Sequence, residues 1–406
     1  MVTRIDPMFL PAHGAASPDV HAQAREREEI NLATVNVRYD NGTQSTTPSM
    51  IPNPFPANPY REKPWAERKT RLIDCLLSTG DLDIIGFQEV LHSQLLDLRS
   101  LLGSNYGHVG VGRDDGQQTG EYSPIFYDQR KFGLVKWGTI WLSPTPERPS
   151  KGWDAALPRI ATFLTLRRRT ASKPRKDTGD GHRGLIHAVN THYDHLGLKA
   201  RAQSSLLIRS QIYEWVKKVE REEQVRAEGP VILFGDFNSP PTEEGYRNIT
   251  SPHALQSNQP SFYFLDSYTH LKRPDGGGDG DGGAAQTRPY GPEHTYTDFV
   301  PPGSKNQTRI DFVMLGGEIP TGHSHSESEA EDEGGDQSSG NGIQDANKNT
   351  YADRDVHERI QFFRARARGG WKIQNYACID NFVEGDSAGW TGRWSDHRAV
   401  RVSISR

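Results

Sequence analysis

Val231-Ile-Leu-Phe-Gly-Asp-Phe-Asn-Ser-Pro-Pro241 is the stretch from which the rest of the chain can be read. Four consecutive apolar residues, β-branched at the front and stopped by Gly235, predict a short strand buried on both faces. Asp236 and Asn238 stand two residues apart, so on a continuing strand both side chains leave on one side while Phe237 anchors the other. Pro240 and Pro241 end the strand. A carboxylate and a carboxamide at the tip of a buried strand suit a hard cation or an activated water, and equally an Asx turn.

Working outward, the same pattern recurs: an apolar run that closes on a polar residue. Upstream, Asn31–Arg38 has a strand pattern with Asn36 where the run turns polar, and Asp83–Glu89 is a second buried strand ending on Glu89. Leu185–His192 is another, with Asn190, His192 and Asp194 on one face; His187 inside the run reads as a structural histidine. Downstream, Arg309–Leu315 carries Asp311, and Ser395–Ile404 opens on Asp396 and His397. Helices are predicted over Trp65–Thr79, with Leu72, Ile73, Leu76 and Leu77 inward, around Ser93–Leu102, and over Lys199–Glu223, with Leu206, Leu207, Ile212 and Val216 inward. The Gly-rich segment Gly110–Tyr122 reads as a hairpin crossing one end of a sheet. A loop from Ser143 to Arg159 joins two strands, and a connection of that length in a compact domain is more often functional than not.

The chain has 406 residues, with 40 Gly, 26 Pro and 34% hydrophobic residues, which describes a loop-rich globular protein. Residues 1–28 read as an N-terminal tail, and 29–406 as one domain with flexible inserts at about 273–290 and 317–350, both poor in residues to bury. A formal charge of -4 argues against a strong electrostatic grip on nucleic acid. Two cysteines, Cys75 and Cys378, imply free buried thiols and no disulfide framework. No run of 18 apolar residues and no signal-like segment occurs, so a cytoplasmic protein without a membrane span is the expectation, or a secreted one if the N-terminus is incomplete. Asn41, Asn248 and Asn306 head tripeptides of the glycosylation pattern, which arise by chance in a long chain.

Collected, the polar residues at strand ends are Asn36, Glu89, His192, Asp236, Asn238, Asp311, Asp396 and His397. Turn chemistry favours Gly, Pro and Ser and has no need of two His and a Glu in such places. In these motifs and their order the chain resembles the endonuclease/exonuclease/phosphatase superfamily, the DNase I-like proteins, over roughly residues 30–406. The resemblance implies a four-layer α/β-sandwich of two packed, mainly antiparallel sheets flanked by helices. It implies Mg²⁺, with Mn²⁺ able to substitute, held by Glu89 with Asn36 and Asp396. Asp236 is then the group that activates water, Asn238 holds phosphate oxygens, and His397 with Asp311 contacts the scissile phosphate. His192 is the second histidine, with Glu121 as its carboxylate partner; a histidine held by a carboxylate is expected to have a raised pKa.

Outside the general family pattern, Trp153 and Arg159 of the long loop are expected to bind substrate, by stacking and by a bidentate phosphate contact. The function implied is a divalent-metal-dependent phosphoester hydrolase, foremost a phosphodiesterase, with a DNA or RNA nuclease as the alternative and an inactive binding scaffold as the reading from another class. The expected partner of this monomer is a phosphate ester such as a nucleotide, a phosphosugar or nucleic acid.

Overall fold

The computed structural model describes residues 28–42, 58–169, 184–225, 228–251, 261–271, 288–318 and 368–406. The expected tail, apart from Glu28, lies outside these residues, as do the expected inserts over 273–287 and 319–350. At the insert margins, Gly317 and Glu318 still pair with Tyr263 and Phe262, and Tyr290 N–H donates to the Tyr376 carbonyl.

Twelve strands form two sheets of six. The first contains β1 (Glu29–Asn36), β2 (Ile84–Gln88), β3 (Tyr106–Val109), β4 (Ile125–Asp128), β11 (Lys372–Ile379) and β14 (Ala399–Ser405), in the order β11-β14-β1-β2-β4-β3. The second contains β5 (Phe132–Trp141), β6 (Ile160–Arg168), β7 (Ile186–His192), β8 (Val231–Asp236), β9 (Phe262–Asp266) and β10 (Asp311–Glu318), in the order β5-β6-β7-β8-β10-β9. A short ribbon of β12 (Phe382–Val383) and β13 (Gly392–Arg393) stands apart. Every neighbouring pair is antiparallel except one in each sheet: β1 runs parallel to β2, and β7 to β8. A parallel pair needs a crossover, and here it is helical both times. Helix α1 (Trp65–Ser78) links β1 to β2, and α3 (Leu198–Glu222) links β7 to β8.

The sheets pack face to face because the strands alternate. From β1, Ile30 and Leu32 enter the central core together with Ile232 and Phe234 of β8, while Ala33 and Val35 face the outer layer of α1 and α2 (His92–Leu102). On the other side, Val231 and Leu233 face α3 and α4 (Glu244–Thr250). This is the four-layer sandwich expected, with its apolar residues in three seams. The helix faces differ from expectation in detail. In α1, Leu77 is exposed and Trp65 and Arg68 are buried; in α3, Ser205, Ile208 and Arg209 take the inward stripe beside Ile212 and Val216, leaving Leu206 and Leu207 half-buried on its flanks. One apolar periodicity fits several neighbouring rotations, and the contacts choose among them.

Cys75 and Cys378 are free thiols. His187 is buried with Nδ1 3.0 Å from Thr165 Oγ1 and Nε2 3.7 Å from Glu220. No helix among the described residues is long and apolar enough to cross a membrane.

Gly86 sets the spacing of the sheets near the centre of β2. A Cβ there would lie 2.1 Å from the Phe234 ring across the seam and 3.0 Å from Asn190. Gly86→Ala should therefore overpack the core and cost about 1–3 kcal/mol, lowering the melting temperature, with Phe234→Leu recovering part of the loss in the double variant. An unchanged melting temperature for Gly86→Ala would contradict this account of the seam.

Candidate active site

The parallel pairs decide where polar side chains gather. Asn36, Glu89, His192 and Asp236 lie at or just past the C-terminal ends of β1, β2, β7 and β8, while Asp311 opens the antiparallel β10 opposite Asp236 and His397 precedes the antiparallel β14. Four C-termini and two N-termini thus share one end of the sandwich. Toward that end the seam turns polar: Gln88 Nε2 donates to Thr34 Oγ1 (2.9 Å) and Asn190 Oδ1 (2.7 Å), and Asn190 Nδ2 donates to the carbonyls of Phe87 and Pro124.

Asp236 is the hub. Its Oδ2 accepts from Asn36 Nδ2 (3.0 Å) and stands 3.6 Å from His192 Nε2 and 3.7 Å from His397 Nε2. Its Oδ1 accepts the Asn238 backbone N–H (2.9 Å). Burial and the charge of Asp311 raise Asp236 to about 7. The same Asn36 nitrogen donates to Glu89 Oε1 (2.9 Å), and Tyr39 N–H donates to Glu89 Oε2 (3.1 Å). Burial alone would push Glu89 up, but the Asn36 bond, His397, Arg38 and the Tyr39 N–H outweigh it and hold the carboxylate below its ordinary range. Asp396, beside Glu89, is raised by burial and by Glu89's charge, against the opposing pull of His397 and Arg38.

The two histidines differ. His397 Nδ1 is 2.9 Å from Asp311 Oδ2, and although burial opposes its charge, Asp311 and Asp236 hold its pKa well above the ordinary value. His192 is the reverse of what a carboxylate partner was expected to produce. Glu121 Oε2 does lie toward it, 3.8 Å from Nδ1, but Arg113 Nη1 holds that oxygen at 2.7 Å and Arg159 Nη1 stands 3.8 Å away. Burial and then the charges of Arg159, Arg113 and His397 drive His192 well below its ordinary pKa. Asn238 Nδ2 lies 3.0 Å from His192 Nε2 and donates to the Tyr193 carbonyl. The amide N–H thus makes Nε2 the acceptor and leaves the proton on Nδ1, facing Glu121.

Three of these residues turn on left-handed backbone: Arg38 at φ 60°, Glu89 at 59° and Asn238 at 46°. Such positions cluster at functional sites.

A cavity of ≈790 Å³ opens over this end, lined by Glu89, Glu121, Arg159, His192, Asp236, Asn238, Asp396 and His397 among the expected residues. Asn36 and Asp311 stand behind it, bonded to Glu89, Asp236 and His397. Trp153 does not line it. The long loop is pinned where Ala156 and Leu157 N–H donate to Asp194 Oδ2 and where Asp154 accepts from Lys199 and Ala200 at the start of α3, and this brings Leu157 and Arg159 to the cavity instead. Sequence reasoning did not single out Arg38, Arg113 or His195, which also line the cavity and come from loops without a periodic signal.

The donor set fits a hard divalent cation. Glu89, Asp396 and Asp236 are carboxylates at the cavity surface, and Glu89 with Asp236 and His192 offers ligand atoms all within 4.8 Å of one another, as does Asp236 with Asp311 and His397. Oxygen-rich sites of this kind suit Mg²⁺ or Mn²⁺. Burial and the charge of Glu89 both raise Asp396, and a cation bound between the two carboxylates would offset both effects.

The model of the Endonuclease/Exonuclease/phosphatase family matches residues 33–397. An endonuclease/exonuclease/phosphatase family protein from Bacteroides thetaiotaomicron is 25% identical, with 94% of this chain and 96% of that one covered and a TM-score of 0.59. A mannosyl-6-phosphatase of the same organism is 25% identical over 92% of this chain and 99% of its own, with a TM-score of 0.58. A third structure, from Bacteroides vulgatus and also described as an endonuclease/exonuclease/phosphatase, is 26% identical over 93% and 98%, with a TM-score of 0.57. No curated protein sequence matches the chain.

Asp194 gives this site a test of its own. Besides the two loop N–H groups, its Oδ1 accepts from Leu196 N–H (3.0 Å) and Gly197 N–H (2.7 Å). Against the opposing effect of burial, these four bonds hold its pKa below the usual carboxylate range. A depressed pKa means stabilisation that is complete above the unfolded value of about 3.9 and is lost as pH falls through the folded one. Asp194→Asn should lower stability by about 1–3 kcal/mol at neutral pH, and thermal melts of the two proteins should converge as the pH falls below 4. A gap that persists undiminished in acid would rule out this role.

Proposed function

Because the chain belongs to the endonuclease/exonuclease/phosphatase family, we propose that it is a divalent-metal-dependent phosphoester hydrolase acting on a small phosphorylated substrate, and that a monoester is preferred. The observation that carries this reading is the setting of Asp236, whose Oδ2 accepts from Asn36 Nδ2 and stands 3.7 Å from His397 Nε2. A carboxylate so placed can take the proton of an attacking water, while His397, oriented by Asp311, donates to a phosphoryl oxygen. Neutral His192, with Nε2 toward Asn238, offers no positive charge and serves to position. Glu89 and Asp396 would hold the ion, with Asn36 keeping Glu89 beside Asp236. When bound, such an ion supplies positive charge to the phosphoryl oxygens as charge develops in the transition state.

The preference for a monoester departs from the diester expected from sequence, and two points support it. The cavity is of a size for small molecules, and similarity to a mannosyl-6-phosphatase favours a phosphosugar over nucleic acid. The formal charge of -4 is in line with this, since nucleic-acid affinity rests chiefly on neutralising phosphates.

Turnover of p-nitrophenyl phosphate and of bis(p-nitrophenyl) phosphate, with Mg²⁺ and with a chelator, tests the proposal. The monoester should be cleaved faster, and the chelator should abolish both reactions. Asp236→Asn should lower kcat by about 10²–10⁴-fold as expected for a lost general base, and Glu89→Gln should remove metal dependence together with activity while the protein stays folded. Wild-type turnover and Mg²⁺ response in Glu89→Gln would refute the site; faster cleavage of the diester, or of single-stranded DNA or RNA, would return the function to the alternatives.

A further inference from the structure

Beyond Glu89 and Asp396, the cavity lining includes Arg113, Glu121, Leu157, Arg159 and His195, a second wall that meets His192 at Glu121. Resting on the phosphoester-hydrolase reading, we propose that this wall recognises the neutral, polyhydroxylated part of the substrate, a sugar ring, with Arg159 and His195 donating to its hydroxyls and Glu121 accepting from them.

Arg159 is 5% exposed, yet its Nε and Nη1 find no hydrogen-bond partner among the described residues. The nearest carboxylate oxygens, Asp194 Oδ2 and Glu121 Oε2, each stand 3.8 Å away. Buried donors left unfilled cost about 1–3 kcal/mol each, so a site that keeps them has a use for them. A void of ≈10 Å³ lined by Arg113, Glu121, Arg159 and His192 adjoins them, room for about one oxygen.

Charge decides between a hydroxyl and a second anion. Arg113 and Arg159 are matched by Glu121 and Asp194, so the wall is close to neutral and Glu121 would repel a second phosphate. A hydroxyl both donates and accepts, and the wall offers both halves of that pairing. Among the described residues, Glu121 is hydrogen-bonded through Oε2, to Arg113 Nη1. His195 is exposed at the rim with Nδ1 3.2 Å from Arg159 Nη2, which puts its own proton on Nε2. Leu157, 38% exposed beside them, supplies an apolar patch for the C–H face of a ring.

Calorimetric titration of the wild type, Arg159→Met and His195→Ala with inorganic phosphate, mannose 6-phosphate, glucose 6-phosphate and glucose 1,6-bisphosphate tests this. At least one hexose 6-phosphate should bind the wild type about tenfold or more tighter than inorganic phosphate, a margin of the kind that hydroxyl recognition gives. That margin should collapse in Arg159→Met and shrink in His195→Ala, a rim variant that leaves the core untouched and guards against misfolding of the first. Hexose phosphates that bind no tighter than phosphate, or an undiminished margin in both variants, would overturn the proposal. So would a bisphosphate that binds far more tightly than glucose 6-phosphate and loses that gain in Arg159→Met, since the wall would then be an anion site. A protein that shows the margin but cleaves neither nitrophenyl ester keeps the sugar subsite and loses the hydrolase reading, so the two fail separately.

Discussion

One amide nitrogen, Asn36 Nδ2, joins the two sheets at the working end of the molecule. It leaves β1 of the first sheet and donates both to Glu89, just past β2, and to Asp236, at the tip of β8 in the second sheet. A half-buried carboxylate and a buried one, from different layers, are thereby held within reach of one another, an arrangement that repulsion alone would open. Behind this contact, Gln88 and Asn190 make a second amide bridge across the same seam. The apolar core ends where these amides begin, and beyond it Glu89, His192, Asp236 and His397 line the cavity. A buried polar network is stable only when its members are satisfied, and this one is largely satisfied by groups that the strand register brings together.

The electrostatics follow from that arrangement. His397 is flanked by Asp311 and Asp236 and becomes a cation; His192, on the other side of the same Asp236, has guanidinium groups behind its carboxylate and stays neutral. Two chemically identical side chains on one carboxylate are thus separated into a donor of charge and a positioning group. The difference does not lie in the pairing of each with an acid, which both have, but in whether that acid is already matched by an arginine.

The geometry rests on backbone turns that are unfavourable in isolation. Arg38, Glu89 and Asn238 each adopt left-handed dihedrals, at a cost of about 1–3 kcal/mol apiece, and local bonds hold two of them: Arg38 N–H to Asn36 Oδ1, and Asn238 N–H to Asp236 Oδ1. Gly235, at φ 143°, lets β8 approach β7 where any Cβ would meet the Thr191 carbonyl at 2.0 Å. The strand therefore stays paired through Asp236 and turns only afterward.

From the sequence alone, apolar runs closing on Asn36, Glu89, His192 and Asp236, and one opening near Asp311, located the strands and the polar residues at their ends, because side-chain alternation along a strand is a local property; the four layers were what the family resemblance implied. The hairpin over Gly110–Tyr122, across which Gly112 bridges Tyr122 antiparallel, was legible through its glycines. Contacts between loops were not. Nothing local to Arg113 or His195 says that they reach Glu121 and Arg159, and nothing local to Trp153 says that Asp154 and Asp194 pin its loop so that Leu157 faces the cavity instead. The protonation of His192 was likewise beyond reach, since it is set by burial and then by the charges of Arg159, Arg113, His397 and His195, which come from separate parts of the chain. Pattern along the chain determined which residues could meet; only the tertiary structure decided which did and with what charge, because burial and Coulomb interaction depend on distance in space.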